Sequence, residues 1–237
     1  MSESAQIEIY DEFLFSSTTH LLKPLNEILN SCEQLIKNTE GISDDTQKHI
    51  SYEIQNHGHQ LLDLLNDIRD YAEIQTGRIV IEKKSTDMSL LMKEILDIAS
   101  WLVKNKPQLH IQQNIPASLP NLSIHDLRIR QVLINLIHNA VKFSNTGIVE
   151  ISVELRDNQA IFKVKDTGIG ITKDKFALVF APFQTAIQDK TDNRVGLGLG
   201  LPICKYMVEA HNGHLWFEST EGEGSSFYFS LPVEQVE

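Results

Sequence analysis

The feature that most constrains this chain is a change in the period of its apolar residues near Gly77. Upstream, apolar or small residues recur at Leu14, Thr18, Leu21, Leu25, Ile28, Cys32 and Leu35, in steps that alternate four and three. That is the heptad seam of a long helix. Gly41 supplies a stop, and Ser43 followed by Asp44 and Asp45 supplies an N-cap with acids in the first turn. The seam resumes at Ile54, Gly58, Leu61, Leu65, Ile68 and Ala72 and ends near Gly77. Two helices of about thirty residues joined by a short connection predict an antiparallel hairpin. A lone hairpin covers only one side of its seam, whereas two copies make a four-helix bundle. A homodimer through residues 8–76 is therefore expected.

Downstream the texture switches to short alternating runs and shorter helices. Arg78–Lys84 and Leu109–Gln113 read as strands, with Asp87 capping a helix that reaches about Lys104. Asp126–Ser144 reads as a helix, and Gly147–Leu155 and Ala160–Asp166 as strands parted by an Asp157-Asn158 turn. A glycine-rich stretch leads into a helix from about Gly198 to Ala210, and strands His214–Ser219 and Ser226–Leu231 follow. Helices on one face of a mixed sheet make an α/β sandwich. The expected fold class is α+β: a helical hairpin over residues 1–79, forming a dimeric four-helix bundle, then the sandwich over residues 80–237.

Composition excludes several classes of function. A net charge of −11 argues against nonspecific nucleic-acid binding, which needs clustered Lys and Arg to neutralise phosphates. No window approaches the roughly 18 apolar residues of a membrane helix. Met1-Ser2-Glu3-Ser4 lacks the basic start and apolar core of a signal peptide, so a cytosolic location is expected. Cys32 and Cys204 lie far apart without metal-ligand spacing and read as small buried hydrophobes.

Three modest signals fall in the second half. Asp166-Thr167-Gly168-Ile169-Gly170 directly follows a strand. Glycines there let the backbone approach a flat ligand, and a strand-end carboxylate can accept a hydrogen bond from an exocyclic amine. Gly196-Leu197-Gly198-Leu199-Gly200 opens a helix, where free N–H groups and the helix dipole favour phosphate. Asn135 and Asn139, four apart on one helix, face the same way and interrupt the apolar run Val132–Ala140; Lys142 extends the polar side. Each pattern alone is common in turns and on surfaces. Their order carries the weight.

In that order they resemble the sensor histidine kinases. Asn135-Leu136-Ile137-His138-Asn139-Ala140-Val141-Lys142-Phe143-Ser144 resembles the N box, and Asp166–Gly170 the first glycine box. Phe180-Ala181-Pro182-Phe183 is similar to the F box, Gly196–Gly200 to the second glycine box, and Gly222-Glu223-Gly224-Ser225 to the last. The resemblance spans about residues 10–232. It implies ATP and Mg²⁺ as cofactors, with Asp166 on the adenine amino group beside Gly168, Gly170 and Ser225. Asn139, helped by Asn135, would hold Mg²⁺, an oxygen-rich site of the kind that ion prefers. Lys142 would meet phosphate, as would backbone N–H groups of the Gly196, Leu197, Gly198, Leu199 and Gly200 loop. Residues 172–195 would form a lid anchored by Phe180 and Phe183, with Arg194 or Lys190 near the γ-phosphate. Leu197, where many members carry Ser or Thr, and His125-Asp126, in place of Asp-Pro, are small departures.

The phosphoacceptor box departs further. The family's S-H-E-L-R-T-P-L is here Ser17-Thr18-Thr19-His20-Leu21-Leu22-Lys23-Pro24-Leu25, aligned without a gap on Pro24-Leu25. Thr19 falls at the family's His position and His20 at its Glu position. Lys23 stands where Thr or Asn would support phosphatase activity. At about 100° per residue, Thr19 and His20 each lie roughly 130° from the centre of the seam, on opposite flanks. Imidazole is a good neutral nucleophile near pH 7, whereas a Thr hydroxyl needs an activating base, so chemistry favours His20. The resemblance thus implies a kinase that autophosphorylates on His20 and passes the phosphoryl group to an Asp of a response regulator receiver domain. The degenerate box also admits an ATP-binding pseudokinase adaptor. The hairpin speaks against a plain ATPase of the gyrase, Hsp90 or MutL kind.

Overall fold

The computed structural model describes residues 21–33, 35, 44–184 and 197–233. The chain divides into two compact units, Met1–Gln75 and Thr76–Glu237. Thr19, His20, the Gly41–Ser43 break, Lys190, Arg194 and Gly196 lie outside the described residues.

The first unit is helical: α1 over residues 21–33 and α2 over Asp44–Gln75. Gly77, just beyond α2, has φ +64°, a left-handed conformation that glycine adopts without steric cost at a helix end. Burial divides the expected seam into two stripes. Pro24 and Ser31 are buried and Leu21, Ile28 and Leu35 half-buried, whereas Leu22, Leu25 and Leu29 are exposed, Leu25 at 41%. On α2, Ile50 is buried and Ile54, His57, Leu61, Leu64, Ile68 and Tyr71 half-buried, while Leu62 and Leu65 stay 53% and 49% exposed. In each helix the two stripes lie roughly 100° apart. A single apolar repeat had merged them: positions 25 and 65 belong to the open stripe, positions 28 and 61 to the covered one.

The second unit is α+β. Strands β2 (Leu109–Asn114), β4 (Gly147–Arg156), β5 (Gln159–Asp166), β6 (His214–Thr220) and β7 (Gly224–Pro232) form a five-stranded sheet in the order β2-β4-β5-β7-β6. Only the β2–β4 pair is parallel, so the sheet is mixed. β1 (Lys84–Thr86) and β3 (Leu122–Ile124) form a separate antiparallel pair. The alternation on β4, β5 and β7 sorts their side chains. Val149, Ile151 and Val153, then Ala160, Phe162 and Val164, then Phe227, Phe229 and Leu231, are buried. Phe162 stacks on Phe229, its register partner, at 4.6 Å between centroids. Over this face lie α3 (Met88–Leu102), α4 (Asp126–Phe143) and α5 (Gly200–Ala210), with α4 between the other two.

Asp87 caps α3 as its sequence predicts: Oδ1 accepts from Ser89 N at 2.9 Å and Leu90 N at 3.0 Å. Two local expectations fail. Residues 78–83 are not a strand; the first strand is Lys84–Thr86, where β3 supplies a partner. That partner has three residues, too few to show a period. Helix α5 opens at Gly200 rather than Gly198, because Gly198 has φ +68° and leaves the helical region.

Candidate nucleotide site

Helix α4 is the element on which the motifs converge. Its buried face, Val132, Leu133, Leu136, Ile137, Ala140 and Val141, fixes its rotation. That leaves Asn135, Asn139 and Lys142 half-buried along one side, with His138 exposed. Lys142 holds its ammonium over the Phe143 ring, 5.4 Å from the centroid.

The first glycine loop is fastened to the end of this helix. Ile169 N donates to Phe143 O at 3.3 Å, and a Cβ on Gly168 would collide with that same carbonyl. Only glycine permits this approach. The second loop meets the helix about two turns earlier: a Cβ on Gly200 would lie 2.5 Å from Asn135 Nδ2. Asn135 Nδ2 also donates to Cys204 Sγ at 3.4 Å, which ties the Asn to the start of α5. The side chains of Leu197 and Leu199 are buried, so what this loop offers a ligand is backbone. Phe183 N donates to Gly198 O at 3.2 Å, joining the F box to the same loop. Phe180 packs edge-on against Phe217 at 5.7 Å, with Lys205 Nζ 5.6 Å from its ring centroid.

Asp166 occupies the last position of β5 on the strand's core-facing side, in register with Val149 and only 5% exposed. A carboxylate here is costly to desolvate. Burial pushes its pKa up. Oδ1 accepts from Gly168 N at 2.8 Å and Ser225 N at 3.3 Å, and these amides pull the pKa partly back. The Ser144 hydroxyl beside it also favours the carboxylate, although it falls short of hydrogen-bond geometry. Ser144 Oγ is fully buried and lacks a partner among the described residues. A half-satisfied carboxylate next to an orphaned hydroxyl fits a flat ligand that brings its own donor.

Four residues that frame the site carry no periodic signal in the sequence. Lys106 Nζ donates to Val141 O and to Ser144 O, closing the C-terminus of α4 with a cation where the helix dipole favours one. His211, 1% exposed, takes His125 N–H onto Nε2 at 2.9 Å and meets Met207 O through Nδ1 at 2.6 Å. A carbonyl requires Nδ1 to carry the proton, so His211 is neutral, and burial holds its pKa below the usual value. It links the start of α4 to the end of α5. Cys204 holds Asn135, and Ser219 joins the loops around Asp166. Ser225, expected at the nucleotide, reaches Asp166 through its backbone amide.

Known proteins resemble this chain in sequence and in fold. Residues 124–235 match the family of histidine kinase-, DNA gyrase B-, and HSP90-like ATPases. Over 227 residues the chain is 33% identical to the circadian input-output histidine kinase CikA of Synechococcus elongatus, covering 95% of this chain and 30% of that protein. It is 34% identical over 240 residues to the autoinducer 2 sensor kinase/phosphatase LuxQ of Vibrio cholerae, covering 99% of this chain and 27% of that protein. The chain thus spans under a third of the length of these curated relatives. The crystal structure of full-length ShkA in complex with AMPPNP superposes with a TM-score of 0.67 at 27% identity, over 94% of this chain and 45% of that one. Residues 124–235 thus form a domain of the histidine kinase-, DNA gyrase B- and HSP90-like ATPase type, and the chain's relatives over nearly its whole length are sensor histidine kinases.

Proposed function

We propose that this chain is the core of a protein histidine kinase that binds ATP on its second unit and phosphorylates a residue of its helical unit. The observation that carries the ATP reading is Asp166: a buried, half-satisfied carboxylate at a strand end, beside the orphaned Ser144 hydroxyl and between two glycine loops. Asp166 would accept the adenine amino group. Backbone N–H groups at Leu197–Gly200 would meet phosphate, with Lys142 adding charge. Asn139 and Asn135 carry amide oxygens suited to Mg²⁺, which would neutralise the phosphates when bound. Because Asn135 already contacts Cys204 and Gly200, Asn139 is the stronger candidate ligand.

The acceptor in this reading is His20. Its imidazole nitrogen forms a bond to the γ-phosphorus as the bond to the bridging oxygen breaks and ADP departs. The phosphoryl group then passes to an Asp carboxylate of a response regulator. The open leucine stripe on α1 and α2 supports a homodimer, with each exposed stripe covered by a second copy. Incubating the full chain with γ-labelled ATP tests the reading. Acid-labile label is expected in wild type and Thr19→Ala and should vanish in His20→Ala, while calorimetry still shows ATP binding. Undiminished label in His20→Ala sinks the assignment.

One observation favours a second reading. Thr19 stands where the family has its His, and no acid follows His20. A pseudokinase adaptor would bind ATP, carry no phosphohistidine and signal through conformation. Tight ATP binding without label in any variant selects it.

A further inference from the structure

The Asp166 carboxylate is held by one good hydrogen bond, 2.8 Å from Gly168 N, and one marginal bond, 3.3 Å from Ser225 N. What keeps the marginal donor in place is Ser219, its register partner on the neighbouring strand. A serine hydroxyl has one proton and two lone pairs. Ser219 Oγ meets three groups: Ile171 N at 2.8 Å, Gly224 O at 2.9 Å and Ser225 Oγ at 2.9 Å. The Ile171 amide can only donate and the Gly224 carbonyl can only accept. The Ser219 proton therefore goes to Gly224 O, and Ser225 must donate to the remaining lone pair. The hydroxyl is saturated, and its three partners are the first glycine loop and the two residues that begin β7.

A second bond fastens the same two loops, from Gly222 N to Ile169 O at 2.8 Å. Gly224 is also pressed against Asp166, since a Cβ there would overlap the Asp166 carbonyl. Removing the Ser219 hydroxyl frees Ile171 N and Gly224 O together. The bond with least margin, from Ser225 N, is the first to lengthen. We infer that Ser219 is a positioning residue that fixes the Asp166 carboxylate for the exocyclic amine of adenine, acting through Ser225 and the Gly168–Ile171 loop without touching the nucleotide. This rests on the reading of Asp166 as the adenine acceptor and adds to it a residue that sets its strength.

The test compares ATP with the triphosphate of unsubstituted purine riboside, which lacks the amine, by titration calorimetry on the full chain. Wild type is expected to prefer ATP about tenfold or more, as a charge-assisted hydrogen bond allows. No preference in wild type overturns the Asp166 reading itself, before any Ser219 variant is made. Ser219→Ala should weaken ATP about three- to tenfold and leave the purine analogue within about twofold. Ser219→Thr, which keeps the hydroxyl, should restore ATP. Added to Asp166→Asn, Ser219→Ala should cause no further loss, because the carboxylate it positions is gone. Should Ser219→Ala not fold, Ser219→Cys retains bulk and a weak donor, and an intermediate loss confined to ATP is expected. Equal weakening of both nucleotides, or losses that add with Asp166→Asn, would reduce Ser219 to a purely structural residue and overturn the inference.

Discussion

The two units differ in how they account for their own surfaces. In the second, the core-facing sides of β4, β5 and β7 are buried beneath the helices. The first glycine loop is tied to α4 through Ile169 N on Phe143 O, the second meets the Asn135 side chain of α4 at Gly200, and Gly224 is pressed against Asp166 at the end of β5. In the first, Leu22, Leu25, Leu29, Leu62 and Leu65 remain substantially exposed. Fully covering a leucine stabilises by about 1.5–3 kcal/mol, so a stripe of five is a strong drive to associate. Among the described residues, the second unit covers its own apolar sheet face and the helical unit leaves an apolar stripe open. In the proposed reading this separates two properties: nucleotide binding would depend on one chain, whereas the bundle would depend on two.

The largest expected effect breaks the second property and spares the first. Leu25→Glu combined with Leu62→Glu places charges on the open stripe, and burying an unpaired carboxylate costs several kcal/mol. Sedimentation should show self-association weakened about a thousandfold or more, with ATP affinity within twofold of wild type. A matching loss of ATP binding would mean that the site is not complete in one copy.

Asp166→Asn attacks the other side. ATP affinity should fall about a hundredfold, because the amide presents a weaker acceptor where the carboxylate stood. Stability should move the opposite way. A carboxyl whose folded pKa is raised stabilises most below its unfolded value of 3.8 and loses that contribution as pH rises through the folded pKa. At pH 7 the buried charge is therefore a cost. Asn keeps an oxygen for the two amides, so thermal unfolding of the ligand-free variant should occur at or above the wild-type temperature.

How far the sequence disclosed this follows from the kind of signal each residue emits. The strands of the sheet and α4 were legible because burial imposes a period of two or of 3.6 on many residues at once. The glycine loops were legible through their order behind the Asn135–Asn139 helix, since each alone reads as a turn. Lys106, Cys204, His211 and Ser219 were not, since each acts as one side chain through a contact 35 to 86 residues away in the chain. The hairpin misled in a different way. Two stripes a quarter-turn apart sum to one apparent heptad, so the apolar positions were readable and their partners were not.

His211 is one of the ties within the second unit. His211→Ala removes the bond from His125 N at the start of α4 and the bond to Met207 O within α5, leaves a cavity, and should cost about 2–3 kcal/mol in chemical unfolding. Its pH dependence is specific. Because folding depresses this pKa, the stabilisation is present above the unfolded value of 6.5 and is lost as pH falls from there toward the folded pKa. Wild-type stability should decline over that interval more steeply than that of His211→Ala.

Smaller effects separate a tie that shapes the site from one that only joins helices. Lys106→Met leaves the carbonyls of Val141 and Ser144 without their cation, with an expected cost of about 1–2 kcal/mol. Ser144 flanks Asp166, so ATP affinity should fall with it. Arg130 pairs with Glu94 between α4 and α3, but Glu94 is nearly half exposed and water screens the pair. Arg130→Met should cost under about 1 kcal/mol and leave ATP affinity unchanged. If the Arg130 variant lost nucleotide while the Lys106 variant kept it, α4 would be set for ligand by its flank toward α3 rather than by its C-terminus, and the docking of the first glycine loop on that terminus would not be what builds the site.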